Sequence, residues 1–166
     1  MMEGRIRCFR RRTLAGAGMA LIAFSWTVAA AQEYRSGNIV IANPWSRATP
    51  PSAQVGGGYL SIVNSGTEGD RLIAVRSPVA RRVEVHEMKM DGTIMRMRAV
   101  ENGLVIPAKT TVNLESGGYH LMFIDLAAGF VKGARIPATL VFEKAGDIDV
   151  VLDVLPLGAK PAERGR

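Results

Sequence analysis

Seven side chains between His86 and Met122 carry the soft metal-ligand chemistry of this chain: His86, Met88, Met90, Met95, Met97, His120 and Met122. They include both histidines and five of the eight methionines, and the remaining three, Met1, Met2 and Met19, lie near the N-terminus. No cysteine falls in this stretch. Thioethers are soft and uncharged, so they favour Cu(I) over Zn(II) or hard oxygen-seeking ions, while imidazole accepts several metals. A neutral set of two histidines and two methionines therefore suits monovalent copper.

Two elements must position these donors. Val83 to Met90 and Thr93 to Arg98 flank Asp91-Gly92, a strong short-range signal for a β-hairpin. A two-residue loop at Asp91-Gly92 predicts Met90 opposite Thr93, Met88 opposite Met95 and His86 opposite Met97, and a four-residue loop keeps the same pairs. Because side chains alternate with a period of two, His86, Met88, Met95 and Met97 share one face. A further strand, Tyr119 to Ile124, puts His120 and Met122 on a common side by the same period. Four ligands converge if that strand approaches the open end of the hairpin: His86, Met97, His120 and Met122.

The spacing of these four resembles the signature of the periplasmic PCuAC-type copper chaperones, a histidine, about ten residues, a methionine, about twenty-one residues, and His-x-Met. Here ten residues separate His86 from Met97, and His120-Leu121-Met122 closes the pattern. Ile94-Met95-Arg96-Met97-Arg98 after Asp91-Gly92 is also similar to that family's Gly-x-Met-x-Met-Arg run. One departure is visible: twenty-two residues separate Met97 from His120, with a loop candidate, Glu115-Ser116-Gly117-Gly118, inside the interval. The resemblance spans roughly residues 39–155. It implies a cupredoxin-like fold, one bound Cu(I), and delivery toward the binuclear copper centre of cytochrome c oxidase. The acceptor it implies is subunit II of that enzyme or another envelope copper chaperone, with the carrier acting as a monomer.

The competing explanation for each methionine alone is packing, since methionine fills irregular gaps in apolar cores. Clustering of all five with the only two histidines, at a matching spacing, favours metal binding for the set. Met88, Met90 and Met95 stay open between packing beside the site and metal contact.

The rest of the chain is organised as an export signal, one domain and a tail. In residues 1–31, Arg5, Arg7, Arg10, Arg11 and Arg12 form a basic start, Leu14 to Val28 is apolar with small residues, and Ala29-Ala30-Ala31 offers a cleavage site. The expectation is a cleaved signal and a periplasmic location without stable membrane association. Arg10-Arg11-Arg12-Thr13-Leu14 leaves the choice between the general secretory and twin-arginine routes undecided. Without residues 1–31 the basic and acidic counts fall from 21 and 15 to 16 and 14, a net charge of +2. Nucleic-acid binding has no support, because no basic stripe or aromatic platform remains. Cys8, the single cysteine, lies in the basic start. A thiol-free mature chain suits an oxidising compartment, where thiolates are lost to disulfides but thioethers are not.

From Gln32 onward short strands alternate with turn residues. The candidates span residues 39–42, 58–63, 71–76, 82–90, 93–100, 110–115, 119–126, 138–144 and 148–155, and none has a sustained helical period. This predicts an all-β domain over residues 32–157, an antiparallel Greek-key β-sandwich or barrel of cupredoxin-like type, with residues 158–166 as a disordered tail. Asn43-Pro44-Trp45 reads as a strand end entering a loop, because proline cannot donate to a ladder. Trp45 reads as a core or sheet-edge aromatic, and Leu104-Val105-Ile106-Pro107 as packing at a sheet edge.

Two other classes of function compete. Electron transfer at a blue-copper site needs a cysteine thiolate, which the mature chain lacks. A metal-free β-sandwich interaction module of the cell envelope is the principal alternative, since fold alone fixes no function. Catalysis is not expected, because no Ser-His-Asp, Cys-His or paired-carboxylate arrangement is evident.

Overall fold

The computed structural model describes residues 32–159. The export signal read in residues 1–31 and residues 160–166 of the tail lie outside them. Eleven strands follow in order: β1 (Glu33–Ser36), β2 (Ile39–Arg47), β3 (Val55–Asn64), β4 (Asp70–Arg76), β5 (Ala80–Asp91), β6 (Ile94–Ala99), β7 (Leu104–Ile106), β8 (Thr110–Leu114), β9 (Tyr119–Leu126), β10 (Arg135–Phe142) and β11 (Gly146–Leu155).

Strand pairing closes on itself. The path β5-β9-β3-β2-β11-β10-β4 returns to β5 through a single pairing, Val75 with Val83, so the sheet forms a barrel. Closure removes sheet edges that would otherwise expose unpaired amides. Most neighbours are antiparallel, and two short contacts, β2 with β11 and β8 with β9, are parallel. β6 hangs outside the ring and pairs only with β5.

The interior follows from alternation along each strand. Ile41, Ile62, Leu121, Phe123, Leu140 and Leu152 are fully buried, and Phe123 meets Phe130 edge-on with ring centroids 5.4 Å apart. Inward pointing of Leu121 and Phe123 obliges His120 and Met122 to face outward from the barrel. Val83 and Val85 likewise turn inward on β5, which leaves Glu84, His86 and Met88 on the outer face. Asp70, though buried, is fully engaged: its carboxylate accepts from the amides of Arg71, Lys144 and Ala145 and joins the start of β4 to the β10-β11 turn.

Two local expectations are corrected. β2 continues through Pro44 to Arg47 instead of ending before it. The register shifts between Ala42 and Trp45, and Asn43 takes a left-handed φ of 51°, so a bulge lifts the proline out of the ladder and pairing resumes beyond it. Trp45 then lies buried on Tyr59, with centroids 4.5 Å apart.

The hairpin register is the second correction. Asp91 pairs with Ile94, so the loop is Gly92-Thr93, not Asp91-Gly92. Met88 therefore faces Met97, Met90 faces Met95, and His86 faces Ala99. Of the turn residues only Gly92 has a positive φ, 64°, as a loop with glycine in its first position requires. A β-branched threonine takes the second position, and Asp91 stays in the strand with its carboxylate 2.8 Å from Arg96 Nε. The displacement is two residues, so every side chain keeps the face expected of it.

Candidate metal centre

The site grows from the seam between β5 and β9. His86 and His120 are directly opposed across it, as are Glu84 and Met122. The two imidazole rings lie 5.9 Å apart between centroids, inclined by 58°. On the other side of β5, Met97 of β6 stands opposite Met88. Next to β9, Gly57 of β3 is opposite Met122, and its lack of a side chain leaves space above that thioether. A Cβ at Gly57 would come within 2.8 Å of Tyr59 Oη, so the gap is already bounded by the phenol.

A hollow of about 270 Å³ results, with Met88, Met97, His120 and Met122 on its walls together with Tyr59, Arg47 and the Ser116-Gly117 turn. Three of the four expected ligands, Met97, His120 and Met122, thus border one space. His86 stands beside it, opposite His120, with its ring drawn toward Glu84. Met88 joins the lining. Met90 and Met95 lie farther along the hairpin and do not reach the hollow.

Each imidazole has one nitrogen anchored and one free. His120 Nδ1 is 3.2 Å from the Gly118 carbonyl oxygen, so Nδ1 carries the proton and Nε2 keeps a lone pair. The same carbonyl accepts from the Met88 amide at 3.1 Å, which ties the β8-β9 loop to β5. His86 uses the opposite nitrogen: Nε2 donates to Glu84 Oε2 at 2.9 Å. Its Nδ1 is buried and has no hydrogen-bond partner. An unpaired buried acceptor costs stability unless a ligand satisfies it. Anchoring of one ring nitrogen by a carbonyl or carboxylate is also how metal-binding histidines are oriented.

The donors fit a soft monovalent ion. Among the described residues no group of three or more His, Cys, Asp or Glu side chains could hold a metal, so a hard-ligand site is absent there. What converges is imidazole and thioether, neutral and polarisable. Burial is graded: His120 is 6% exposed, Met122 half-buried and Met97 44% exposed. On the far face of β5, Lys89 holds the Glu87 carboxyl below its ordinary value, and the bond to Glu87 pushes the Tyr119 phenol up.

Comparison with known proteins places the fold that carries this arrangement. Residues 39–154 match the LpqE-like family. The copper-bound PCuAC domain from PmoF2 superposes with a TM-score of 0.65 at 31% identity, over 75% of this chain and 98% of that one. The chain belongs to the LpqE-like family and is a PCuAC domain. Lxx21020 of Leifsonia xyli subsp. xyli, a protein named as a lipoprotein, is 26% identical over 116 residues, 70% of this chain and 69% of its own length. Apo-DR1885 from Deinococcus radiodurans shares the fold, with a TM-score of 0.56 at 19% identity over 87% of this chain and 97% of that one.

Sequence reasoning missed part of the PCuAC hollow. Arg47 lies over the rings of both Trp45 and Tyr59, 5.5 and 5.4 Å from their centroids, and Arg47 and Tyr59 form one wall. The period of two linking Gly57 to Tyr59 and Trp45 to Arg47 gives their common face. Nothing in the sequence states that β3 lies beside β9.

Proposed function

We propose that this PCuAC domain is an envelope copper chaperone that binds one Cu(I) through His86, Met97, His120 and Met122 and hands it on by ligand exchange. The observation that carries the reading is the opposed pair of imidazoles, each with one anchored and one free nitrogen, beside a thioether-lined hollow. Copper is cargo here, so the site must both hold and release it.

The gradient of exposure supports release. Met97 is the outermost of the four and sits on β6, a strand paired along one side only. An acceptor's ligand displaces this thioether first, while His120 still holds the ion from below. Copper stays monovalent throughout, and no proton or electron need move. The same reading takes residues 1–31 as an export signal, the acceptor as an envelope copper protein on the way to cytochrome c oxidase, and the domain as a carrier and not a catalyst. Likeness to a copper-bound PCuAC domain and to a protein named as a lipoprotein agrees with it.

Competition titration of Cu(I) against a chromogenic chelator tests the assignment. One equivalent is expected to bind, with affinity falling at least about tenfold in His120→Ala and in Met97→Ala, the scale on which even outer-shell partners act. Equal affinity in wild type and both variants would overturn it.

A further inference from the structure

We propose that the tip of the β5-β6 hairpin is a second, weaker soft-metal position, built from Met90 and Met95, through which Cu(I) enters and leaves the inner site. The proposal rests on the copper-carrier reading above and adds a route to it.

The hairpin has two chemically separate faces. One carries His86, Met88, Met90, Met95, Met97 and Ala99, without a single charge. The other carries Glu87, Lys89, Asp91, Ile94, Arg96 and Arg98. There Lys89 pairs with Glu87 at 2.9 Å and Arg96 with Asp91 at 2.8 Å, so these four charges are matched in two pairs, and Met90 borders their shared hollow from the hairpin's end.

On the uncharged face the methionines are matched across the strands, Met88 with Met97 and Met90 with Met95. Directly opposed residues have Cβ atoms about 4.5 to 5.5 Å apart, a separation two flexible thioethers can bridge through one ion. Successive pairs are two residues apart along each strand, about 7 Å. Copper can therefore step from Met97 to the tip: a Cu–S bond to Met97 breaks as bonds to Met95 and Met90 form, with the ion Cu(I) before and after.

Packing does not account for the outer pair. Met90 and Met95 are 62% and 57% exposed, so they remove little apolar area from water. Ile94 and Met97 are exposed on the same hairpin, which gathers four of the nine large apolar side chains that the described residues leave in solvent. Such concentration at one tip marks an interaction site, and paired sulfur gives its chemistry.

Methyl-13C-methionine protein titrated with Ag(I), a redox-inert stand-in for Cu(I), separates the two sites. The methyl signals of Met97 and Met122 are expected to move up to one equivalent, and those of Met90 and Met95 beyond it. The double variant Met90→Ile, Met95→Ile, exposed and strand-compatible, should keep its affinity for the first Cu(I) yet release it to a chelator several-fold more slowly. Stationary Met90 and Met95 signals at excess Ag(I), or release from the double variant at the wild-type rate, would overturn the tip site while leaving the inner one intact. Immobile Met97 and Met122 signals with shifting Met90 and Met95 would instead overturn the inner site, and with it the tip's role as a route to that site.

Discussion

His86 and His120 face each other across β5 and β9, 5.9 Å between ring centroids, and are anchored through opposite nitrogens, Nε2 to Glu84 and Nδ1 to Gly118. One anchor is a side chain and can be removed. The other is a backbone carbonyl and cannot.

Glu84→Ala should lower Cu(I) affinity about 10- to 100-fold, the usual effect of losing a partner that orients a metal-binding histidine. Glu84→Gln, whose amide oxygen still accepts from His86 Nε2, should recover part of the loss. Competition titration reads the affinities, and a thermal melt of each apo variant checks that the fold persists. Affinity unchanged in Glu84→Ala would show that the carboxylate does not position His86.

Met122→Leu conserves volume and removes the sulfur. Its cost in stability should stay below about 1.5 kcal/mol, while Cu(I) affinity falls at least about tenfold, on the scale used above. Met88→Leu is the informative companion, because Met88 lines the same hollow without belonging to the four. A smaller loss than at Met122 is expected, measured in the same titration.

Gly58→Ala tests the scaffold under the site. A Cβ there would lie 2.8 Å from the Phe123 ring and 3.0 Å from a Leu152 methyl, both fully buried, so neither neighbour can give way cheaply. Destabilisation by about 1 to 3 kcal/mol is expected for an overpacked core, read from urea unfolding.

The part of this site that lies within one hairpin or one strand was legible in the sequence, and the part made between distant strands was not. A period of two puts His120 with Met122 and His86 with Met88 whatever the fold, so these groupings needed no tertiary information. The hairpin register differs by two residues from the one Asp-Gly predicts, because glycine fills the first position of the loop and Thr93 the second. An even shift preserves faces, so the ligand grouping survived the error. The direct opposition of His86 and His120 depends on β5 pairing with β9 across 34 positions of chain, from 86 to 120, and no local pattern encodes it. β1 and the ladder pairing of β7 with β4 escaped for the same reason: each is short and defined by its partner strand.

Loading with Cu(I) should stabilise the fold by mass action. At free ligand 100-fold above the dissociation constant the gain is about 2.7 kcal/mol, seen as a higher melting temperature that depends on copper concentration. An interaction module that binds no metal would melt at the same temperature with and without it.

Mild peroxide should oxidise Met90, Met95 and Met97 ahead of Met122, following exposure. Loss of Cu(I) affinity should track the Met97 sulfoxide, since a sulfoxide no longer offers a thioether lone pair. Peptide mass spectrometry against residual binding gives the correlation.

X-ray absorption at the copper K edge of the protein loaded with one equivalent of Cu(I) tests the central claim most directly. The account predicts an inner shell of two imidazole nitrogens and two thioether sulfurs, with one nitrogen lost in His120→Ala and one sulfur lost in Met122→Leu. A shell of nitrogen and oxygen alone, unchanged by either substitution, would contradict it.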